Sequence, residues 1–225
     1  MIRSTPRGRG SFRRPGPARF LERATELSAL TGQRTLVLLD EQNLSIGARN
    51  LGYELDYPAL TRRIRSAASS AEIHVFTAAG PSHPHAGQQV RGPDHIVHVK
   101  TIRQWQLPGG RARRDANVDN VFSFWAGLLT AKKSWGAIVF GSGDYGLAGE
   151  LPQAIRARRL RSPVKLMTLS LPGSTAQDLE ARFNPNVSVN LEIGLDVLRP
   201  RPNRFRAARA EQALRFVSGP SMTSY

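Results

Sequence analysis

Residues 136–149 read Gly-Ala-Ile-Val-Phe-Gly-Ser-Gly-Asp-Tyr-Gly-Leu-Ala-Gly, and this stretch decides the fold. Its first half is a short apolar run, which is typical of a strand covered on both faces. The glycines that follow favour a tight turn, and residues 147–159 have helical spacing. The pattern predicts a strand, a turn and a helix, with Asp144 at the carboxyl end of the strand, where open parallel sheets bind their ligands.

An earlier stretch repeats this arrangement. Residues 35–39 are Thr-Leu-Val-Leu-Leu, and Asp40 follows them directly. Two buried strands that each end in an aspartate predict a shared acidic site at one edge of a parallel sheet. The alternative is that Asp40 and Asp144 each cap the helix that follows, which requires no ligand.

Strands and helices alternate along the rest of the chain. We expect further strands at 71–79, 96–102, 164–171 and 187–193, and helices at 20–30, after the N-cap Asp56, at 115–131 and at 175–183. Residues 44–51 are predicted to form a loop or a short helical turn, and residues 105–114 a basic loop. This alternation predicts an α/β fold, a three-layer α/β/α sandwich on a mostly parallel central sheet.

Charge is concentrated at the two ends of the chain. The protein has 225 residues and a net charge of +15, of which residues 1–34 contribute +6 and residues 195–225 contribute +4. We expect a basic, flexible arm with a short lead-in helix over 1–34, one domain over 35–194 and a basic tail over 195–225. Basic arms are typical of proteins that bind phosphate backbones, although an arginine-rich genome gives the same composition.

Four aspartates are the candidate metal ligands. Asp40 and Asp144 end predicted strands, while Asp115 and Asp119 are four residues apart on the predicted helix at 115–131 and therefore on one face of it. Carboxylates that converge repel one another and stay ionised only when a cation joins them. Since the chain contains no cysteine, the ligands are oxygens, which favour Mg²⁺ or Mn²⁺. Such a site predicts metal-assisted hydrolysis of a phosphodiester.

These motifs resemble those of the NYN-domain ribonucleases, a family of PIN-like nucleases. The resemblance spans about residues 35–193 and rests on Leu39-Asp40-Glu41-Gln42-Asn43-Leu44, Val118-Asp119 and Ser142-Gly143-Asp144-Tyr145. It implies a PIN-like fold, dependence on Mg²⁺ or Mn²⁺, and endonucleolytic cleavage of RNA. It also implies that Asp40, Asp119 and Asp144 are the catalytic metal ligands and that Asn43 and Ser142 support them.

The chain departs from the family pattern near the central helix. Trp125 stands where the family often has a second acid, and Asp115 is either its substitute or a helix cap. Tyr145-Gly146 replaces the commoner Asp-Phe pair. The number of metal ions therefore stays open.

We expect a metal-dependent endoribonuclease that acts on single-stranded RNA in the cytoplasm. Arg111, Arg113 and Arg114 are candidate phosphate-binding residues, and Trp105 is a candidate for stacking on bases. The plainer alternatives are a solvated loop and a buried aromatic. An inactive RNA-binding adaptor and a DNA-directed, flap-cutting nuclease are the other functions considered. No apolar run is long enough to span a bilayer, so we expect no membrane partner, and a homo-oligomer stays open.

Overall fold

The structure, a computed structural model, describes residues 23–80, 90–106, 108–110, 112–115, 118–143, 153–155, 164–175 and 185–201. Its elements are β1 (Arg34–Asp40), α1 (Glu41–Asn50), β2 (Tyr53–Leu55), α2 (Tyr57–Ala67), β3 (Ser70–Ala79), β4 (Ile96–Thr101), β5 (Arg103–Gln106), β6 (Ala112–Asp115), α3 (Asp119–Lys132), β7 (Ala137–Gly141), β8 (Lys165–Ser170), β9 (Val189–Glu192) and β10 (Leu198–Pro200). Short 3₁₀ turns cover Ser28–Leu30 and Leu195–Val197, and residues 153–155 are helical.

Six strands form one sheet in the order β4-β3-β1-β7-β8-β9, and every neighbouring pair is parallel. The chain first adds strands on one side of β1 and then returns to add β7 on the other side. The strand order therefore reverses between β1 and β7. Two small antiparallel pairs, β10 with β2 and β5 with β6, lie outside this sheet.

Apolar side chains fill a core on each face of the sheet. Alternate residues of β1 point to opposite faces, so Val37 and Leu39 pack with α1 and α2, while Leu36 and Leu38 pack with α3. Helices thus cover both faces. The predicted α/β/α sandwich on a parallel sheet is confirmed.

The two helices on one face begin at the caps that their sequences favour. The side chain of Asp40 accepts a hydrogen bond from the Asn43 backbone N–H at 3.1 Å, and that of Asp56 accepts one from Ala59 at 3.0 Å. Each bond satisfies a donor that the first turn of a helix leaves free. The prediction that Asp56 is an N-cap is confirmed, and so is the capping role considered for Asp40.

The fold extends past both predicted domain boundaries. Backbone and side chain of Thr25 donate to Asp196, with N···O and O···O distances of 2.8 and 2.6 Å. The strand β10, which was assigned to the basic tail, pairs with β2. Residues 23–34 and 195–201 therefore pack on the domain. Residues 1–22 of the predicted flexible arm and residues 202–225 of the predicted basic tail lie outside the described residues.

Four local predictions were wrong. The lead-in helix expected at 20–30 is limited, within the described residues 23–30, to the 3₁₀ turn at Ser28–Leu30. The segment 44–51, predicted as a loop or short turn, belongs mostly to the ten-residue helix α1. The basic loop at 105–114 contains parts of the antiparallel strands β5 and β6. Finally, α3 begins at Asp119 and not at Asp115, which ends β6. Of the predicted helices at 147–159 and 175–183, only residues 153–155 and 175 are described.

Candidate active site

The candidate active site lies at the carboxyl end of β1, at the point where the strand order reverses. In open parallel sheets, the loops on the two sides of such a point turn away from each other and leave a crevice, which is where ligands bind. Asp40 is the last residue of β1, and Ser142 follows the last residue of the neighbouring strand β7. The strand order alone therefore places the predicted motif that contains Asp40 beside the one that begins at Ser142.

Asp40 is almost completely buried, with 5% of its surface exposed. Because side chains alternate along a strand, Asp40 shares the face of Leu36 and Leu38, which is the face that α3 covers. The first residue of α3 is Asp119. The charge of Asp119 acts on Asp40 although 79 positions separate the two residues in the sequence.

The surroundings of Asp40 disfavour its charged form. Burial, followed by the negative charges of Asp119 and Glu41, raises the pKa of Asp40 to about 6, although hydrogen bonds from the Asn43 and Gln42 backbone lower it. A buried carboxylate next to like charges gains stability when a proton or a cation joins it. Asp40 and Asp119 therefore form a site that favours a positive ligand.

Two further hydrogen bonds join the ends of β1 and β7. The hydroxyl of Ser142 donates to Asp40 Oδ2 at 3.4 Å, and the Gly143 backbone N–H donates to Asn43 Oδ1 at 2.7 Å. No side chain fits at position 143, since a Cβ there would lie 2.2 Å from the backbone oxygen of Ser174. The first turn of α1 and residues 142–143, directly after β7, are thus held together at the site.

Glu41 is a third acidic residue beside the site, and it is not among the residues predicted to form it. Its carboxylate accepts hydrogen bonds from Ser45 at 2.7 Å and from Thr77 at 3.0 Å. The buried Tyr57 donates to the Glu41 carbonyl oxygen at 3.0 Å, and burial raises the pKa of this phenol. The available signal was its position directly after Asp40.

The structure places the predicted site residues in three groups. Asn43 and Ser142 are hydrogen-bonded to Asp40 at the carboxyl edge, and the charge of Asp119 acts on the same carboxylate. Asp115 lies in β6 opposite Arg103, so helical spacing does not relate it to Asp119, and Arg113 and Arg114 are in the same strand. Asp144 and Arg111 lie outside the described residues.

The chemistry of this donor set fits a hard divalent ion. Protein sites for Mg²⁺ commonly use one or two carboxylates, with water and substrate phosphate completing the coordination. Asp40 and Asp119 supply two carboxylates. Within the described ranges, no three His, Asp or Glu side chains form a group that could hold a metal ion, and Asp144, the predicted third ligand, is not among these residues.

No helix in the described part of the chain has the length and apolar character needed to cross a membrane.

No family model and no curated protein matches the chain. Among the solved structures, the chain is similar to a protein of unknown function from Vibrio parahaemolyticus, with a TM-score of 0.57 and 18% sequence identity. The similarity covers 74% of this chain and 97% of that one. At this level of identity the likeness concerns the fold.

Proposed function

We propose that the protein is a metal-dependent endoribonuclease of the NYN type. The observation that carries the proposal is the meeting of Asp40 with Asp119 at the reversal point of a parallel sheet, where the charge of Asp119 helps to raise the pKa of Asp40. The pattern Asp40-Glu41-Gln42-Asn43, the Asp119 at a helix start and the Ser142-Gly143-Asp144 motif support the same reading. The net charge of +15 favours a polyanionic substrate.

Asp40 and Asp119, with Asp144 as the sequence motif implies, would hold Mg²⁺ or Mn²⁺. Such an ion, when bound, supplies an activated water and stabilises charge on the phosphate. The other residues orient the ligands. Asn43 accepts from the Gly143 backbone N–H directly after β7, and Ser142 donates to the carboxylate of Asp40. The cap that Asp40 forms on α1 sets the direction of its side chain, because Oδ1 is bonded to the Asn43 N–H.

The test is a cleavage assay on labelled single-stranded RNA and on DNA of the same sequence, with Mn²⁺ or with chelator. We expect the wild type to cut RNA only when Mn²⁺ is present. Asp40→Asn and Asp119→Asn should cut at least about 100-fold more slowly, because even indirect changes around a metal cost 10- to 100-fold. Asparagine is also a good N-cap, so Asp40→Asn should remain folded.

Asp94→Asn is the matched control, since Asp94 is an aspartate paired with Arg65 outside the site. It should cut at the wild-type rate. Full activity in the purified Asp40→Asn, Asp119→Asn double variant would refute the assignment. RNA binding without any Mn²⁺-dependent cleavage would instead favour the adaptor, and cleavage of DNA alone would favour the flap-cutting nuclease.

A further inference from the structure

The β5–β6 ribbon, residues 103–106 and 112–115, is a small antiparallel pair that stands apart from the central sheet. All four residues of β5 are exposed, and Trp105 has 44% of its surface in solvent. Between residues 103 and 115 the sequence has four arginines and one aspartate, a formal charge of +3. A single aromatic residue on a protein surface needs no explanation. An exposed indole in a segment this basic points to a function.

The ribbon begins at the same edge of the sheet as the carboxylates. Ile102, the residue before β5, donates its backbone N–H to Ala79 at 2.8 Å and packs with Ala78 and Val118. Val118 directly precedes Asp119. Because Asp40 pairs with Phe76, the end of β3 lies three residues beyond the level of Asp40, or about 10 Å. The base of the ribbon is therefore next to the candidate active site.

The register of the ribbon places arginine positions around Trp105. Arg103 is two residues before it on the same strand, and Arg113 is the residue opposite it on β6. Positions two apart on one strand, and positions directly opposite on its partner, share one face of an antiparallel ribbon. One face thus combines an aromatic ring with cationic positions, which is the combination that binds unpaired nucleotides.

We propose that the β5–β6 ribbon binds single-stranded RNA next to the active site, with Trp105 stacking on a base and Arg103 contacting phosphate. An indole face reaches a base only when that base is unstacked, so the ribbon selects single strands over duplexes. The inference rests on the proposed function for the identity of the nucleic acid. It goes further in assigning a binding element and a strand preference that do not depend on cleavage.

The experiment measures binding in the absence of cleavage. Asp40→Asn protein in chelator is titrated into a labelled 20-nucleotide single-stranded RNA, and anisotropy is recorded. Trp105→Ala should lower the affinity about ten-fold, as loss of one stacked base does, while Trp105→Phe should stay close to Asp40→Asn alone. Arg103→Gln should weaken binding and reduce the salt dependence by about one phosphate contact.

Phe124→Ala provides the matched control. Phe124 is an aromatic residue with 67% of its surface exposed, and no arginine or lysine lies within three positions of it. Its removal should leave the affinity unchanged. A duplex of the same sequence should bind equally well with and without Trp105→Ala.

Three results would overturn the inference. They are wild-type affinity for single strands in Trp105→Ala, an equal loss of affinity for duplex RNA, or a tryptophan emission shift, absent in Trp105→Ala, that anionic phosphatidylserine vesicles cause and RNA does not. The cleavage assay is independent of these outcomes. If the protein binds RNA without cleaving it and Trp105→Ala still weakens binding, the nuclease proposal is refuted and this inference is supported. If the protein cleaves RNA and Trp105→Ala leaves the affinity unchanged, the nuclease proposal is supported and this inference is refuted.

Discussion

Asp40 and His74 are buried polar residues on neighbouring strands, and both face α3, yet their surroundings differ. His74 Nε2 lies 3.2 Å from Glu72 Oε1, and His74 Nδ1 lies 2.8 Å from His98 Nε2. Lys133 Nζ bonds the other oxygen of Glu72 at 2.6 Å. The ring of His98 also stacks on Phe76, with centroids 4.7 Å apart. His74, Glu72 and Lys133 thus each bond to a complementary group of this network.

The network around His74 is consistent with a single arrangement of protons. If the Nε2–H of His74 donates to Glu72, its neutral Nδ1 is free to accept from the Nε2–H of His98. Burial, and then the nearby His74, lower the pKa of His98 to about 4. Burial also lowers the pKa of His74, although Glu72 raises it, so both rings are neutral near pH 7 and the network has no need for an external ion.

Asp40 accepts hydrogen bonds, but within the described ranges no cation is among the groups that set its pKa. The charges that act on it come from Asp119 and Glu41, and they are of its own sign. Structural polar networks satisfy their own charges, whereas functional sites often keep an unfavourable charge that a ligand relieves. Asp40 and His74 are both buried, so burial alone does not identify a functional site. The sign of the neighbouring charges distinguishes the two.

The largest expected difference between His74 and Asp40 is in how their substitution changes the stability of the fold. His74→Leu keeps the volume but leaves His98 and Glu72 without their shared partner, so we expect the free energy of unfolding to fall by about 2 kcal/mol. Asp40→Asn keeps the cap and removes a repelled charge, so we expect no loss and a gain of up to about 1 kcal/mol. Urea unfolding in chelator at pH 7 measures both. A large loss in Asp40→Asn would show that its charge stabilises the fold.

A smaller contrast concerns the pH dependence of stability. The native state keeps the Asp40 proton up to about pH 6, whereas the unfolded chain releases it near its ordinary pKa of 3.8, so this group lowers stability as the pH rises between these values. His98 acts in the opposite sense. Its pKa falls from 6.5 to about 4 on folding, so its contribution is lost as the pH falls through this range.

Thermal unfolding in chelator from pH 4 to pH 7 separates the two effects. Relative to wild type, Asp40→Asn should become more stable as the pH rises, because the opposing contribution is gone. Relative to wild type, His98→Gln should become less stable as the pH rises. Its loss of stability should therefore be smallest at the acid end of the range. Parallel curves for all three proteins would mean that neither group changes its pKa on folding.

The central strands of the fold could be predicted because buried parallel strands are continuous apolar runs, as at 35–39 and 137–140. Asp40, Asn43 and Ser142 follow such runs directly, so their meeting at one edge could also be predicted. Asp119 was placed correctly although its helix was predicted to begin too early. The reason for that error is that Asp115 belongs to a strand with little apolar content.

Other features could not be predicted because long-range packing determines them. Helix α1 contains Asn, Ser and Gly, which are weak helix formers, and it packs on the sheet through Leu44 and Ala48. The β5–β6 ribbon has no apolar alternation, and its available signal was the Gly109-Gly110 pair, both with positive φ. The contact between His74 and His98 depends on the register of two strands, which spacing does not reveal.

The most direct test of the central claim is a calorimetric titration of chelator-free protein with Mn²⁺. The claim is that Asp40 and Asp119 act together on one divalent cation. We predict a saturable binding signal for the wild type and for His98→Gln, and loss of that signal in both Asp40→Asn and Asp119→Asn. Unchanged Mn²⁺ affinity in the two asparagine variants would contradict the account.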